Sequence, residues 1–125
     1  MKKLLLLLAT LVSALAHAAD PAKHVDAEGA AKLISEGKVV IVDVRSKEEF
    51  GDGHLKGALN IDILESDFEA KLGKLDKNKP VLVHCQAGGR STRSLPVFEK
   101  LGFTQVFHLD GGYGGWVEAG KPVDK

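Results

Sequence analysis

The chain has 125 residues, 17 Lys and Arg against 17 Asp and Glu, one cysteine and 6% aromatic residues. That length suits one domain around one modest core. The balanced charge, with no basic or aromatic stripe, argues against a nucleic-acid or anionic-membrane partner, and a lone cysteine excludes an internal disulfide.

The first residues read as a segment apart from the domain. Lys2 and Lys3 precede an apolar run from Leu4 to Leu15, broken only by Thr10 and Ser13, and Ala16-His17-Ala18 fits a small-x-small cleavage site. The expectation is a signal peptide over 1–18 and a mature domain over 19–125. The run is shorter than the roughly 20 residues of a membrane span, so a retained anchor is the lesser alternative. With no cysteine at the cut, a lipid anchor is not expected either.

His24-Val25 reads as a short first strand. Asp26 is placed to cap a helix through about Ser35, with Ala27, Ala30, Leu33 and Ile34 as its apolar stripe, and Gly37 ends it. Val39-Val40-Ile41-Val42 is a β-branched run of the kind buried on both faces of a sheet. Ser46 and Glu49 form a capping box for a short helix around Lys47 to Phe50. Gly51 to Gly57 reads as loop, and Ala58 to Ile61 as a short strand. Ser66 and Glu69 suggest a second capping box, opening a helix through about Leu72, and Leu75 to Lys79 as a polar turn.

After Pro80, Val81 to His84 reads as a buried strand that stops at Cys85. A helix is expected over about Ser91 to Leu101, with Leu95, Phe98 and Leu101 on one face. Pro96 predicts a kink or a later start, because it lacks an N–H and crowds the Thr92 carbonyl. Gln105 to Leu109 is the last expected strand, Asp110 to Trp116 leads into a short helical turn, and Gly120-Lys121-Pro122 closes the domain. Strands alternating with helices predict an α/β fold: a mostly parallel sheet of about five strands with helices on both faces. Ligands bind such sheets beyond the carboxyl ends of the strands, where Cys85 stands.

The stretch Cys85-Gln86-Ala87-Gly88-Gly89-Arg90-Ser91 carries the chemistry. A cysteine between a strand end and a helix start faces backbone N–H groups and a positive helix end, both of which favour thiolate. Gly88 and Gly89 let the backbone curl so that several N–H groups converge. Arg90 adds a fixed positive charge with a donor fork suited to oxyanions. These residues describe a cysteine nucleophile inside an anion cradle. The bland reading is an inert buried thiol.

Five stretches resemble the rhodanese family, in the family's order and across the whole mature chain: Asp43-Val44-Arg45; Glu49-Phe50 with Gly53-His54-Leu55-Lys56-Gly57-Ala58-Leu59-Asn60-Ile61; Val83-His84-Cys85 with Gly88, Arg90 and Ser91; Leu101-Gly102-Phe103 with Val106; and Leu109-Asp110-Gly111-Gly112 with Trp116 and Gly120-Lys121-Pro122-Val123. With the leader, the chain is similar to the small single-domain sulfurtransferases of the bacterial periplasm. Cys85 through Arg90 is a loop of six residues. The resemblance associates that length with sulfur transfer and one residue more with the related phosphatases.

The resemblance implies a thiosulfate-type sulfurtransferase in which Cys85 is persulfidated by a donor such as thiosulfate and discharged by cyanide or a small thiol. No metal or organic cofactor is implied. Cys85 and Arg90 are the expected catalytic residues, with Arg90 otherwise a structural ion pair. Gln86, Ala87, Gly88, Gly89 and Ser91 are the expected substrate-binding residues; Ser91 either donates to the persulfide or caps the helix. The alternatives are a sulfane-sulfur carrier serving a partner protein and, less favoured, a phosphatase or arsenate reductase. His84 is expected to face away from Cys85, since neighbouring strand residues point to opposite faces. Arg45 is expected to reach Glu49, Asp43 to satisfy backbone donors near the loop, His54 to fix its own turn, and Trp116 to pack.

Overall fold

The structure is a computed structural model and describes residues 22–125; the expected signal peptide lies outside them. Its strands are β1 (Lys23–Val25), β2 (Val40–Asp43), β3 (His54–Leu55), β4 (Leu59–Asn60), β5 (Val81–His84), β6 (Val106–Leu109) and β7 (Val123–Asp124). Its helices are α1 (Ala27–Ser35), α2 (Lys47–Asp52), α3 (Phe68–Leu72), α4 (Gly89–Lys100) and α5 (Gly112–Glu118). Among the described residues, no helix is long and apolar enough to cross a membrane.

The main sheet has the order β1-β6-β5-β2-β4, and every pairing in it is parallel. β5 is the central strand, buried along its whole length, as its apolar sequence predicts. Strand alternation sends its residues to two cores. Val81, Val83 and Cys85 join Val42, Val44, Phe68, Leu72, Leu95 and Phe98 beneath α3 and α4. Leu82 joins Ile41, Ala30, Leu55, Leu109 and Trp116 beneath α1 and α5. The two-faced parallel sheet is therefore as expected.

Local signals acted as expected at two helix starts. The Asp26 carboxylate accepts the Gly29 N–H at 2.8 Å. Ser46 and Glu49 close their capping box in both directions, with Glu49 N–H donating to Ser46 Oγ and Ser46 N–H donating to Glu49 Oε1.

Three expectations are corrected. Ser66 caps nothing: α3 starts at Phe68 behind Asp67, and no side chain caps it. Phe68 N–H bonds to the Glu65 carbonyl, so Ser66 lies inside a preceding turn; burial of Phe68 and Leu72 on one face sets the helix start. The loop expected over Gly51 to Gly57 contains β3, which pairs antiparallel with β7 in a separate two-stranded sheet, His54 opposite Asp124 and Leu55 opposite Val123. The domain thus closes two residues beyond Pro122. Finally, α4 begins at Gly89, earlier than Ser91, and carries Pro96 inside it. Pro96 and Thr92 are both exposed, so water can satisfy the Thr92 carbonyl that Pro96 leaves without an amide partner.

Candidate active site

The site forms at the carboxyl end of β5, where the chain leaves the sheet at Cys85 and enters α4. Gly88 stands at the N-cap of α4 with φ +110, a left-handed conformation that suits glycine. A Cβ there would lie 2.7 Å from the Asp110 carbonyl oxygen, so the loop is pressed against the end of β6. On its other side it is clamped by α5. Tyr113 N–H donates to the Cys85 carbonyl at 2.8 Å and Gly114 N–H to the Gln86 carbonyl at 3.0 Å. With these carbonyls bound outward, loop N–H groups remain to face the sulfur.

Cys85 Sγ accepts the Gly88 N–H at 3.1 Å and the Ser91 hydroxyl at 3.3 Å. Burial pushes the thiol pKa up. Hydrogen bonds from the Ser91 hydroxyl and from the N–H groups of Ser91, Gly88 and Ala87 outweigh it and hold the pKa below its ordinary value. Gly88, Ala87 and Ser91 thus present donors to the sulfur. Gln86, Ala87 and Gly89 are exposed, whereas Gly88 and Ser91 are buried.

Ser91 is not a helix cap. It lies within α4, fully buried, and its Oγ touches Cys85 Sγ, the Gly88 carbonyl at 3.2 Å and His108 Nε2 at 2.7 Å. Arg90 forks onto Glu49, Nη1 to Oε1 at 2.7 Å and Nη2 to Oε2 at 2.9 Å. This pair holds the Glu49 carboxyl down at about 2. It raises Arg90, to which the nearby Cys85 charge also contributes.

The expectation that Arg45 reaches Glu49 is corrected: Arg90 occupies that carboxylate. Arg45 is buried and binds Asp43 through Nε at 3.0 Å and Nη2 at 2.8 Å. Its Nη2 also donates to the Gly53 carbonyl at 2.7 Å and its Nη1 to Gln86 Oε1 at 3.3 Å, while its guanidinium covers the Tyr113 ring. Asp43 accepts the Arg45 N–H at 3.0 Å, the backbone role expected of it.

His84 lies on the opposite face from Cys85, with Asp43. Its Nδ1 hydrogen bonds to the Cys85 carbonyl at 3.0 Å. Because a carbonyl only accepts, Nδ1 carries the proton and Nε2 is a bare acceptor. It stands 3.7 Å from an Asp43 carboxylate oxygen, without a hydrogen-bond partner. Burial lowers the His84 pKa and keeps the ring neutral. His54 stacks on Phe50 and bonds its carbonyl at 2.9 Å, and Trp116 is buried, donating to the Pro122 carbonyl.

Sequence reasoning missed His108, Asp110 and His24. His108 pairs with Val83 across β5 and β6, which puts its side chain on the Cys85 face. Its Nδ1 lies 2.6 Å from Asp110 Oδ1, and His24 Nδ1 lies 2.7 Å from the same oxygen. The available signal was His-x-Asp at the end of a strand: a buried imidazole needs a partner, and in extended chain residue i+2 shares its face. Among the described residues these three form the only cluster of three His, Cys, Asp or Glu side chains with facing ligand atoms. Both imidazole Nδ1 atoms lie within hydrogen-bond distance of the same Asp110 oxygen.

The parallel sheet, the glycine-lined loop and the sulfur held in a ring of donors define a cysteine-loop α/β protein. The family model for the rhodanese-like domain matches residues 26–119, and the chain belongs to that family. It is 31% identical over 97 residues to the thiosulfate sulfurtransferase GlpE of Shewanella oneidensis, covering 78% of this chain and 94% of that one. It is 33% identical over 121 residues to the uncharacterized protein YibN of Escherichia coli, covering 94% and 83%. Among solved structures, a rhodanese-related protein of Thermoplasma volcanium matches with a TM-score of 0.72 at 28% identity, over 82% of this chain and 97% of that one.

Proposed function

We propose that the protein is a thiosulfate-type sulfurtransferase working through a Cys85 persulfide. The observation that carries this is the Cys85 sulfur itself, buried at the end of the central strand and accepting hydrogen bonds from Gly88 N–H and the Ser91 hydroxyl. The thiolate attacks the outer sulfur of thiosulfate. The sulfur–sulfur bond of the donor breaks, and sulfite leaves with the electron pair. The new persulfide carries its negative charge on the outer sulfur, where loop N–H groups act as an oxyanion-hole-type cradle. Cyanide or a small thiol then takes that sulfur and regenerates the thiolate. This is covalent catalysis in two half-reactions, so ping-pong kinetics follow.

Arg90 supplies positive charge at the mouth for the anionic donor and for sulfite, steadied by Glu49. Exposed Gln86 and Ala87 line the entrance. The family resemblance associates the six-residue span from Cys85 to Arg90 with sulfur transfer and not with phosphate or arsenate. We further propose a periplasmic location, on the signal peptide expected over residues 1–18; amino-terminal sequencing of the exported protein is expected to begin at Ala19. The activity is tested by thiosulfate:cyanide turnover of residues 19–125 beside Cys85→Ser. Saturable turnover lost in the serine variant supports the proposal, and wild-type turnover no greater than that of the variant overturns it.

A further inference from the structure

We infer that His108 takes the Cys85 proton through the Ser91 hydroxyl, and that Asp110 holds the resulting imidazolium. The inference starts from an unbroken line: Cys85 Sγ to Ser91 Oγ at 3.3 Å, Ser91 Oγ to His108 Nε2 at 2.7 Å, and His108 Nδ1 to Asp110 Oδ1 at 2.6 Å. Cys85, Ser91 and His108 are 1%, 0% and 2% exposed, so water does not compete along it. The three elements that bring them together are β5, α4 and β6.

The chemistry of the end groups fixes the protons. Hydrogen bonds from His24 and His108 outweigh the effect of partial burial and lower the Asp110 pKa, so its carboxylate is ionised and only accepts. The His108 Nδ1 therefore carries a hydrogen, and in the neutral ring Nε2 is the acceptor. While the sulfur is a thiol, Nε2 takes the Ser91 O–H in place of the sulfur or the Gly88 carbonyl, which leaves an oxygen lone pair facing Cys85 S–H. Ionisation then moves two protons in sequence. The Cys85 S–H proton passes to Ser91 Oγ as the Ser91 hydroxyl proton passes to His108 Nε2. The products are a thiolate and an imidazolium, with Ser91 now donating to sulfur. No atom or electron is left over. The donor that stabilises thiolate and persulfide is thus supplied by the same step that creates the thiolate.

Other candidates for this proton are engaged elsewhere. His84 points to the opposite face with its Nδ1 on the Cys85 carbonyl, and the Arg90 guanidinium is already fully protonated. The groups facing His108 are Ser91 from α4, Asp110 just beyond the end of its own strand, His24 from β1 and, through the sheet, His84 of β5. His24 and Asp110 also line a cavity of about 700 Å³ bounded by the start of α1 and the end of β6. Cys85 and its loop do not line this cavity, which gives the far end of the line access to solvent. His108 is accordingly a positioning residue that stores a proton.

The inference deepens the sulfurtransferase reading and rests on it for its purpose. Its test does not need a sulfur donor. The rate of Cys85 alkylation by iodoacetamide is followed against pH by mass spectrometry, for wild type, His108→Asn and Asp110→Asn. Thermal melts confirm that the variants fold. The thiolate branch is expected to move up by about one pH unit in His108→Asn, cutting the rate on the acid side about tenfold, and to move in the same direction in Asp110→Asn. The His108 ring resonances, titrated by NMR, are expected to change their midpoint in Cys85→Ser. Alkylation profiles superimposable on wild type, or a His108 titration indifferent to Cys85→Ser, would overturn it. The Asp110 side chain is 57% exposed, so Asp110→Asn carries the test if His108→Asn fails to fold. Shifted profiles without thiosulfate turnover would leave the relay standing and remove only the sulfurtransferase reading.

Discussion

Arg90 and Glu49 show what a single side chain does when the fold gives it a partner. The forked pair lowers the Glu49 carboxyl from 4.5 to about 2. A lowered folded-state pKa adds stability above the unfolded value, and that stability is lost as pH falls toward the folded one. Wild type is therefore expected to lose melting temperature between about pH 4.5 and 2 more steeply than Glu49→Gln. Parallel melting curves across that window would contradict the assignment. Arg90→Ala is expected to raise the thiosulfate KM about tenfold, the scale of one charge-assisted hydrogen bond, with the persulfide still formed at saturating donor. At this scale the sequence was only partly legible. Gly88, Arg90 and Cys85 were evident from their spacing. Which arginine would take Glu49 was not, because Arg45 is drawn inward by Asp43, a contact that depends on the burial of both.

The clamp between the cysteine loop and α5 makes its prediction at the level of elements. Gly112 has φ +62, and a Cβ there would lie 2.5 Å from the Gln86 carbonyl oxygen and 2.6 Å from that of Cys85. Gly112→Ala is expected to destabilise the fold by about 1–3 kcal/mol in urea unfolding and to slow Cys85 alkylation, since the clash falls on the two carbonyls that orient the loop. An unchanged alkylation rate would argue that α5 does not set the loop. Elements with a strong periodic or capping signal were readable: α1 from Asp26, α2 from its box, β2 and β5 from their apolar runs. β3 and β7 were not, for a two-residue strand has no period. Their pairing exists only once the chain end has returned to His54 and Leu55.

Across the molecule, the all-parallel sheet brings the ends of β2, β5 and β6 to one edge, and a buried ion pair secures that edge. Asp43 and Arg45 are 0% and 2% exposed, and they tie β2 to the Gly53 carbonyl, to Gln86 of the cysteine loop and to the Tyr113 ring. Breaking such a pair leaves an uncompensated charge. Arg45→Met is expected to cost about 3–5 kcal/mol in urea unfolding, and Asp43→Leu combined with Arg45→Met less than the single variant. A double variant as unstable as the sum of its singles would show that the two side chains act independently. The fold class was legible because alternating β-branched runs and capped helices leave little but a parallel α/β sheet. His108, one strand away from Cys85, was hidden because its role depends on strand order and register.

The central claim concerns sulfur on Cys85. Residues 19–125 would be mixed with thiosulfate alone, without acceptor, and weighed intact beside Cys85→Ser. The account expects wild type to gain the mass of one sulfur atom, to lose it on adding cyanide, and the serine variant to gain nothing. An unchanged wild-type mass, or the same gain in Cys85→Ser, would contradict it.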